Sequence, residues 1–348
     1  MTALRRVLTI PLVVTTEVVL LLTGPLLLLV ATLVALAVRS TRPIRTVALV
    51  LAYAAIELRV LYRLAHTDRD GDWEGLLRDV LRSAYRAMRA ILDVRVELED
   101  GSATAQQLAA TGRPLIVLAR HCGPGDSLFI AWLLVVRYGL RLRIVLKSAL
   151  RLDPTVDLAG PHLPLCFVGA GGKRARRRIR QLAGSMTPGD AFLLFPEGGN
   201  FSWPRWREAI DALGRAGHHL KARASRRHTH TLPPHRGGAT AALTGSPEAD
   251  VLLLAHTAFT SDGRDRPWWQ LPVHRNLVIR TTLLPAAGVP REPAAIGDWL
   301  DATWSTVDDW VADRTRPVAT SATPRRGVFN GWAQRRRSGY VEHPEVTR

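Results

Sequence analysis

Between Ala119 and Ser127 the chain reads ARHCGPGDS, a histidine at the end of an apolar run and an aspartate just beyond a Gly-Pro-Gly turn. A turn that tight can fold the carboxylate of Asp126 back against the imidazole of His121. A carboxylate that holds Nδ1–H fixes the tautomer and leaves Nε2 free as a base. Such a base can take the proton of an alcohol as it attacks a thioester. Amides at the N-terminus of the following helix can stabilise the oxyanion. Taken alone, the spacing also fits a surface histidine beside a helix-capping aspartate.

A second segment, Phe192 to Ser202 (FLLFPEGGNFS), places an acid at a strand end before a glycine turn. Together the two segments resemble the glycerolipid acyltransferase family, which includes 1-acylglycerol-3-phosphate and lysophospholipid acyltransferases. Its histidine block, H-x-x-x-x-D, is matched by His121 and Asp126. Its substrate block, F-P-E-G, is matched by Phe195, Pro196, Glu197 and Gly198. A looser likeness follows: Leu232 to Gly238 (LPPHRGG) is similar to the L-P-R-T-x-G stretch of the lysocardiolipin-type branch. The apolar segment Asp250–Phe259 falls where the family has its fourth block. The resemblance spans residues 90 to 260.

The resemblance implies a reaction. His121 deprotonates an acceptor hydroxyl, which attacks the carbonyl of acyl-CoA or acyl-ACP; no acyl-enzyme, metal or other cofactor is needed. Glu197 helps bind the acceptor or orders the site. The implied acceptor is a lysophospholipid such as 1-acylglycerol-3-phosphate, in phospholipid biosynthesis or remodelling. Two departures bear on it. The family's F-P-E-G-T-R-S has Gly199 and Asn200 in the threonine and arginine places, and its F-I-x-R has Ala170 in the arginine place. An arginine fork binds two phosphate oxygens at once, so a non-phosphate acceptor, a glycolipid or other alcohol, is the alternative. Lys173 and Arg174, just past a glycine pair, and Arg236 are the cations expected to take over a phosphate contact.

The remainder of Lys173–Arg180 (KRARRRIR) reads as a helix face on anionic lipid, each cation near the surface contributing about 1 kcal/mol. Lys221–Arg227 (KARASRR) reads as a basic loop facing the membrane or the CoA phosphates. A non-catalytic protein that binds anionic lipid through these runs is a further reading. A lipid hydrolase is disfavoured because no G-x-S-x-G elbow is present. Cys122 reads as packing rather than a nucleophile. The histidines from His218 to His235 match no zinc spacing. Trp268-Trp269 is an interfacial anchor or core.

These residues need an α/β body to position them. Strands are expected at Pro114–Ala119, Leu142–Leu146, Leu165–Val168, Ala191–Phe195, Asp250–Phe259 and Asn276–Leu284. Helices are expected at Ser127–Tyr138, Gly237–Leu243 and Gly297–Ala312. The alternation predicts a mixed, largely parallel sheet flanked by helices. Residues 67–312 form the acyltransferase domain, and 313–348 a basic tail.

Residues 1–66 read as a membrane anchor. Val7 to Val38 is almost unbroken apolar sequence, longer than the ~20 residues a span needs. It accommodates one tilted helix, or two bent at Gly24-Pro25. A weaker stretch follows from Val47 to Leu64. Arginines flank the run on both sides, so the positive-inside rule does not choose between a span and a re-entrant hairpin with all its charges on the cytoplasmic face. Glu17 reads as a cap or a snorkelling side chain.

The 348 residues carry 47 Lys and Arg against 30 Asp and Glu, a formal charge of +17. That surplus favours an anionic partner. With the apolar run beside it, an anionic membrane surface is expected rather than nucleic acid, for which no recognition motif is present. Two cysteines, Cys122 and Cys166, make no disulfide framework. The protein is expected at the cell membrane, its catalytic domain facing the cytoplasm.

Overall fold

The computed structural model describes residues 2–66, 71–123, 125–169, 172–257 and 272–315. Three helices open the chain: α1 (Thr2–Ala37), α2 (Arg42–His66) and α3 (Trp73–Leu92). Then follow β1 (Val94–Leu98), α4 (Ala105–Ala110), β2 (Leu115–Ala119), α5 (Asp126–Trp132), β3 (Arg141–Lys147), α6 (Pro154–Ala159), β4 (Leu165–Val168) and α7 (Lys173–Gly184). The chain continues through β5 (Asp190–Leu194), α8 (Trp203–Arg215), α9 (His219–Ser225), α10 (Arg236–Gly245), β6 (Asp250–His256), β7 (Arg275–Leu284) and α11 (Pro293–Thr315).

The seven strands form one sheet in the order β1-β7-β6-β2-β5-β3-β4. Five neighbouring strands from β6 to β4 are parallel; β7 runs antiparallel to β6 and carries β1 parallel to itself. The central strands are buried on both faces, as parallel strands under helices must be. In β2, Leu115, Val117 and Ala119 enter one core with Leu81 and Phe129, while Ile116 and Leu118 enter the other with Ile179, Leu243 and Trp304. Thus α3 and α5 cover one face, and α7, α10 and α11 the other.

Local signals set several boundaries. The Asp72 carboxylate accepts the Gly75 N–H and opens α3; Thr104 and Gln107 close a reciprocal capping box on α4. Asp153 caps α6, which starts on Pro154, where a missing N–H costs nothing. The helix expected over Ser127–Tyr138 is present, but α5 passes into a π-helical turn over Leu133–Arg137.

Some expectations need correction. Lys221 to Arg227 is not a basic loop: α9 covers Ser225 and all before it in that run, packed against α8. The strand expected to reach Phe259 stops at His256. Trp268-Trp269 and the tail beyond Thr315 lie outside the described residues. Helix α1 runs uninterrupted through Gly24 and Pro25, so the apolar run forms one helix and not two. Instead the chain reverses around Arg39, whose φ is 50°, and α2 packs back along α1. Gly24 serves that contact: a Cβ there would stand 3.3 Å from Leu51. Glu17 neither caps nor snorkels. It is 4% exposed and faces Glu57 of α2, itself 6% exposed, between the two helices.

Candidate active site

The sequence motifs converge at the carboxyl ends of β2, β5 and β6, where ligands bind in open α/β sheets. His121 stands just beyond β2. Its ring lies 4.5 Å, centroid to centroid, from Phe195, which stands just beyond β5. Burial lowers the His121 pKa to about 4; the Asp126 charge opposes this, and His256, Lys147 and Arg205 add to it. The imidazole is therefore neutral at pH 7, the form a base requires.

Asp126 begins α5 and is 1% exposed. Gly125, at φ 94°, makes the turn that returns its carboxylate towards β2. The expected hydrogen bond from His121 Nδ1 is not the one formed. Asp126 Oδ2 accepts the backbone N–H groups of Cys122 (2.9 Å) and Gly123 (2.6 Å). His121 Nδ1 is buried and has no partner among the described residues. Asp126 thus acts on the ring as a neighbouring charge, while the two amides hold it in place. Burial pushes its pKa up, and those amides and His121 pull it down.

Glu197 is 2% exposed. Oε1 accepts the His121 backbone N–H at 3.0 Å, and Oε2 accepts that of Leu232 at 2.9 Å. One carboxylate so ties the ends of β2 and β5 to the segment leading into α10. Those two bonds fit the ordering role, the second of the two the resemblance allowed. Pro196 strengthens the tie, its carbonyl accepting the His235 N–H at 2.8 Å. Gly198 sits at φ 67°, and a Cβ there would come within 2.9 Å of the His235 ring, so only glycine fits.

Two residues the sequence reading passed over complete the frame. Arg120 is 2% exposed; its guanidinium donates to the carbonyls of His230 (2.6 Å) and His256 (2.7 Å), between the anions Glu197 and Asp126. His256, fully buried at the end of β6, donates from Nε2 to the Arg120 carbonyl at 2.9 Å and stands 3.8 Å from Asp126 Oδ2. Neither position carries a motif letter; only the strand-end positions of both residues point to them.

Of the expected phosphate cations, Arg236 is paired with Asp298 and Asp301 of α11. Lys173 and Arg174 are exposed at the start of α7. The cations whose charge bears most on the His121 ring are Lys147, at the end of β3, and Arg205, in the first turn of α8. Arg205 reaches back to donate to the Asn200 carbonyl at 3.3 Å. A guanidinium therefore occupies the turn whose own sequence lacks one. A shift of five residues hides it from motif matching.

Cys122 is no nucleophile: burial pushes its thiol up to about 12. His228 and His230 turn to α11, where His228 Nε2 meets Ser305 Oγ at 3.0 Å and the His230 N–H donates to Asp308.

Residues 95–247 match the family model named Acyltransferase. Among solved structures, the chain is similar to the 1-acyl-sn-glycerophosphate (LPA) acyltransferase PlsC from Thermotoga maritima. Identity is 18%, the TM-score is 0.53, and the match covers 79% of this chain and 98% of that one. That likeness is one of fold. No curated protein sequence matches. Both motif blocks lie inside the family-model match, on this sheet, so the chain carries an acyltransferase domain and is an enzyme of that type rather than a non-catalytic lipid-binding protein.

Proposed function

We propose that the protein moves a fatty acyl group from a thioester donor, acyl-CoA or acyl-ACP, to the hydroxyl of a lysophospholipid of the 1-acylglycerol-3-phosphate type. The observation that carries this is His121 at the end of β2, its ring against Phe195, with buried Asp126 returned to the same turn by the Cys122 and Gly123 amides, both inside the acyltransferase match. The chemistry follows in one step each way. His121 Nε2 takes the acceptor proton while the oxygen attacks the thioester carbonyl. The tetrahedral intermediate then expels the thiolate, which recovers that proton. Asp126 stabilises the imidazolium between the two transfers.

In this reading Lys147 and Arg205, whose charges act on the His121 ring, hold the acceptor's phosphate, the role first expected of Lys173, Arg174 and Arg236. Lys147→Ala and Arg205→Ala are each expected to raise KM for 1-acylglycerol-3-phosphate about tenfold, the worth of one charged hydrogen bond. KM for an uncharged monoacylglycerol should not move. Mass spectrometry of lipids formed by the purified protein from acyl-CoA and a mixture of both acceptors checks this. Equal use of the two acceptors by the unaltered protein would favour the glycolipid or simple alcohol acceptor instead.

The anchor supports a membrane-surface enzyme. Helix α1 is long and apolar enough to cross a bilayer, and most of it is uncovered, Leu8, Leu22, Leu29 and Leu36 among the exposed side chains. Yet both ends of the α1–α2 hairpin are tied to the same body. Arg5 and Arg6 pair with Asp157 of α6, and Arg45 donates to the Ile91 carbonyl at the end of α3. A helix held at both ends by one domain lies along the bilayer surface rather than across it. Cysteines placed at Leu4 and Ser40 are both expected to escape an impermeant thiol reagent outside intact cells and to react in inverted vesicles. Labelling of either from outside would put α1 across the membrane.

A further inference from the structure

Away from His121, α8 and α9 enclose a cleft of about 550 Å³. Its floor is apolar, from Ile210 and Ala222, both nearly fully buried. Its walls carry Arg215, Arg223, Arg226 and His219, with Asp211 the sole acid lining it. None of the three guanidiniums makes an ion pair or a side-chain hydrogen bond among the described residues. Elsewhere on this surface arginines close on acids, as Arg141 and Arg143 do on Asp190. Arg223 and Arg226 lie three apart on one helix face, where like charges repel. A cleft that gathers unpaired forks over an apolar floor suits a ligand with phosphates and a flat ring.

Helix α8 relates the cleft to the chemistry. Arg205 in its first turn bears on His121, and Arg215 in its last turn lines the cleft. Ten residues of helix separate them by about 15 Å. A coenzyme A thioester has the same plan: the reactive carbonyl at one end, an extended pantetheine arm, and an adenosine 3′,5′-bisphosphate at the other end.

We infer that the α8–α9 cleft binds the adenosine 3′,5′-bisphosphate end of an acyl-CoA donor through Arg215, Arg223 and Arg226, with its pantetheine arm laid along α8 towards His121. The inference rests on the acyl-transfer reading and selects the donor within it. An acyl carrier protein has no nucleotide to place there.

The test uses the full chain in uncharged detergent micelles, so that attraction to a charged membrane does not enter. Free adenosine 3′,5′-bisphosphate, which involves no acyl chemistry, should bind the unaltered protein and bind R215A/R223A/R226A at least tenfold more weakly. The double variant R223Q/R226Q, nearer in shape, should show the same direction. The ratio of kcat/KM for a fatty acyl-CoA over the same acyl group on pantetheine should exceed about tenfold and collapse towards one in the triple variant. Absence of nucleotide binding, or an unchanged ratio, overturns the inference. So does a triple variant that loses only acyl carrier protein turnover, or only adsorption to anionic vesicles. If neither thioester is turned over by the unaltered protein, the acyl-transfer reading fails, and nucleotide binding alone decides the cleft.

Discussion

His121→Ala is expected to lower kcat/KM by about 10²–10⁴-fold, the range supplied by a positioned general base, and to leave the fold intact. The fold survives because the site uses the backbone of His121, not its ring. The N–H donates to Glu197, and the carbonyl accepts the Phe201 N–H at 3.0 Å. Alanine keeps both. The pH profile supplies a second readout. Burial holds the imidazole pKa at about 4, below the ordinary 6.5. The base form is therefore present down to that pH, and kcat/KM should stay level from pH 8 to 6 and fall only on approach to 4. The same shift bears on stability. Between 6.5 and 4 the unfolded chain takes up a proton that the folded chain refuses. The stability that His121 contributes is thus present above 6.5 and lost as pH falls through that window. His256, which burial lowers to about 3, acts in the same direction. A rate unchanged in His121→Ala, or a profile that breaks near 6.5, sinks the assignment of this ring as the base.

Much of this site was legible because its parts lie at strand ends. Apolar runs such as Pro114–Ala119 and Ala191–Phe195 declare themselves by composition as strands buried on both faces, and the polar residues within two positions of each end then lie at the edge of the sheet. The positions of His121 and Glu197 follow. Their partners do not. Asp126 was read as the orienter of Nδ1, yet a carboxylate at a helix start also meets nearby orphan amides, and here those of Cys122 and Gly123 take it. Arg205 escaped because a helix turn returns it to a place the motif assigns to another position. Arg236 misled because Asp298 and Asp301, distant in sequence, claim it. In each case the deciding contact is made between segments that no local pattern relates. The anchor shows the same limit. Apolar length makes α1 a candidate membrane segment, but nothing in that pattern announces the ties of Arg5, Arg6 and Arg45 to the body.

Glu197→Gln is expected to destabilise the fold by about 3–5 kcal/mol, as does breaking a buried charge pair by removing one partner. The substitution is isosteric, so volume is not the cause. Each carboxylate oxygen accepts one backbone N–H, from His121 and from Leu232. Glutamine offers one acceptor, and its NH₂ must then face the other N–H, donor against donor. The change also removes an anion beside Arg120, a guanidinium 2% exposed. Burial pushes the Glu197 pKa up to about 7 against the pull of Arg120 and the two amides, so the comparison belongs at pH 8, where the carboxylate is ionised. There the Tm should drop by roughly 5–15 °C. Asp126→Asn makes the contrast. Both amides meet a single oxygen, Oδ2, which an asparagine Oδ1 can replace, so that variant should lose rate far more than stability. If Glu197→Gln melts with the unaltered protein and loses only acceptor affinity, the carboxylate touches substrate after all, and the clamp between β2, β5 and the approach to α10 is not what orders the site.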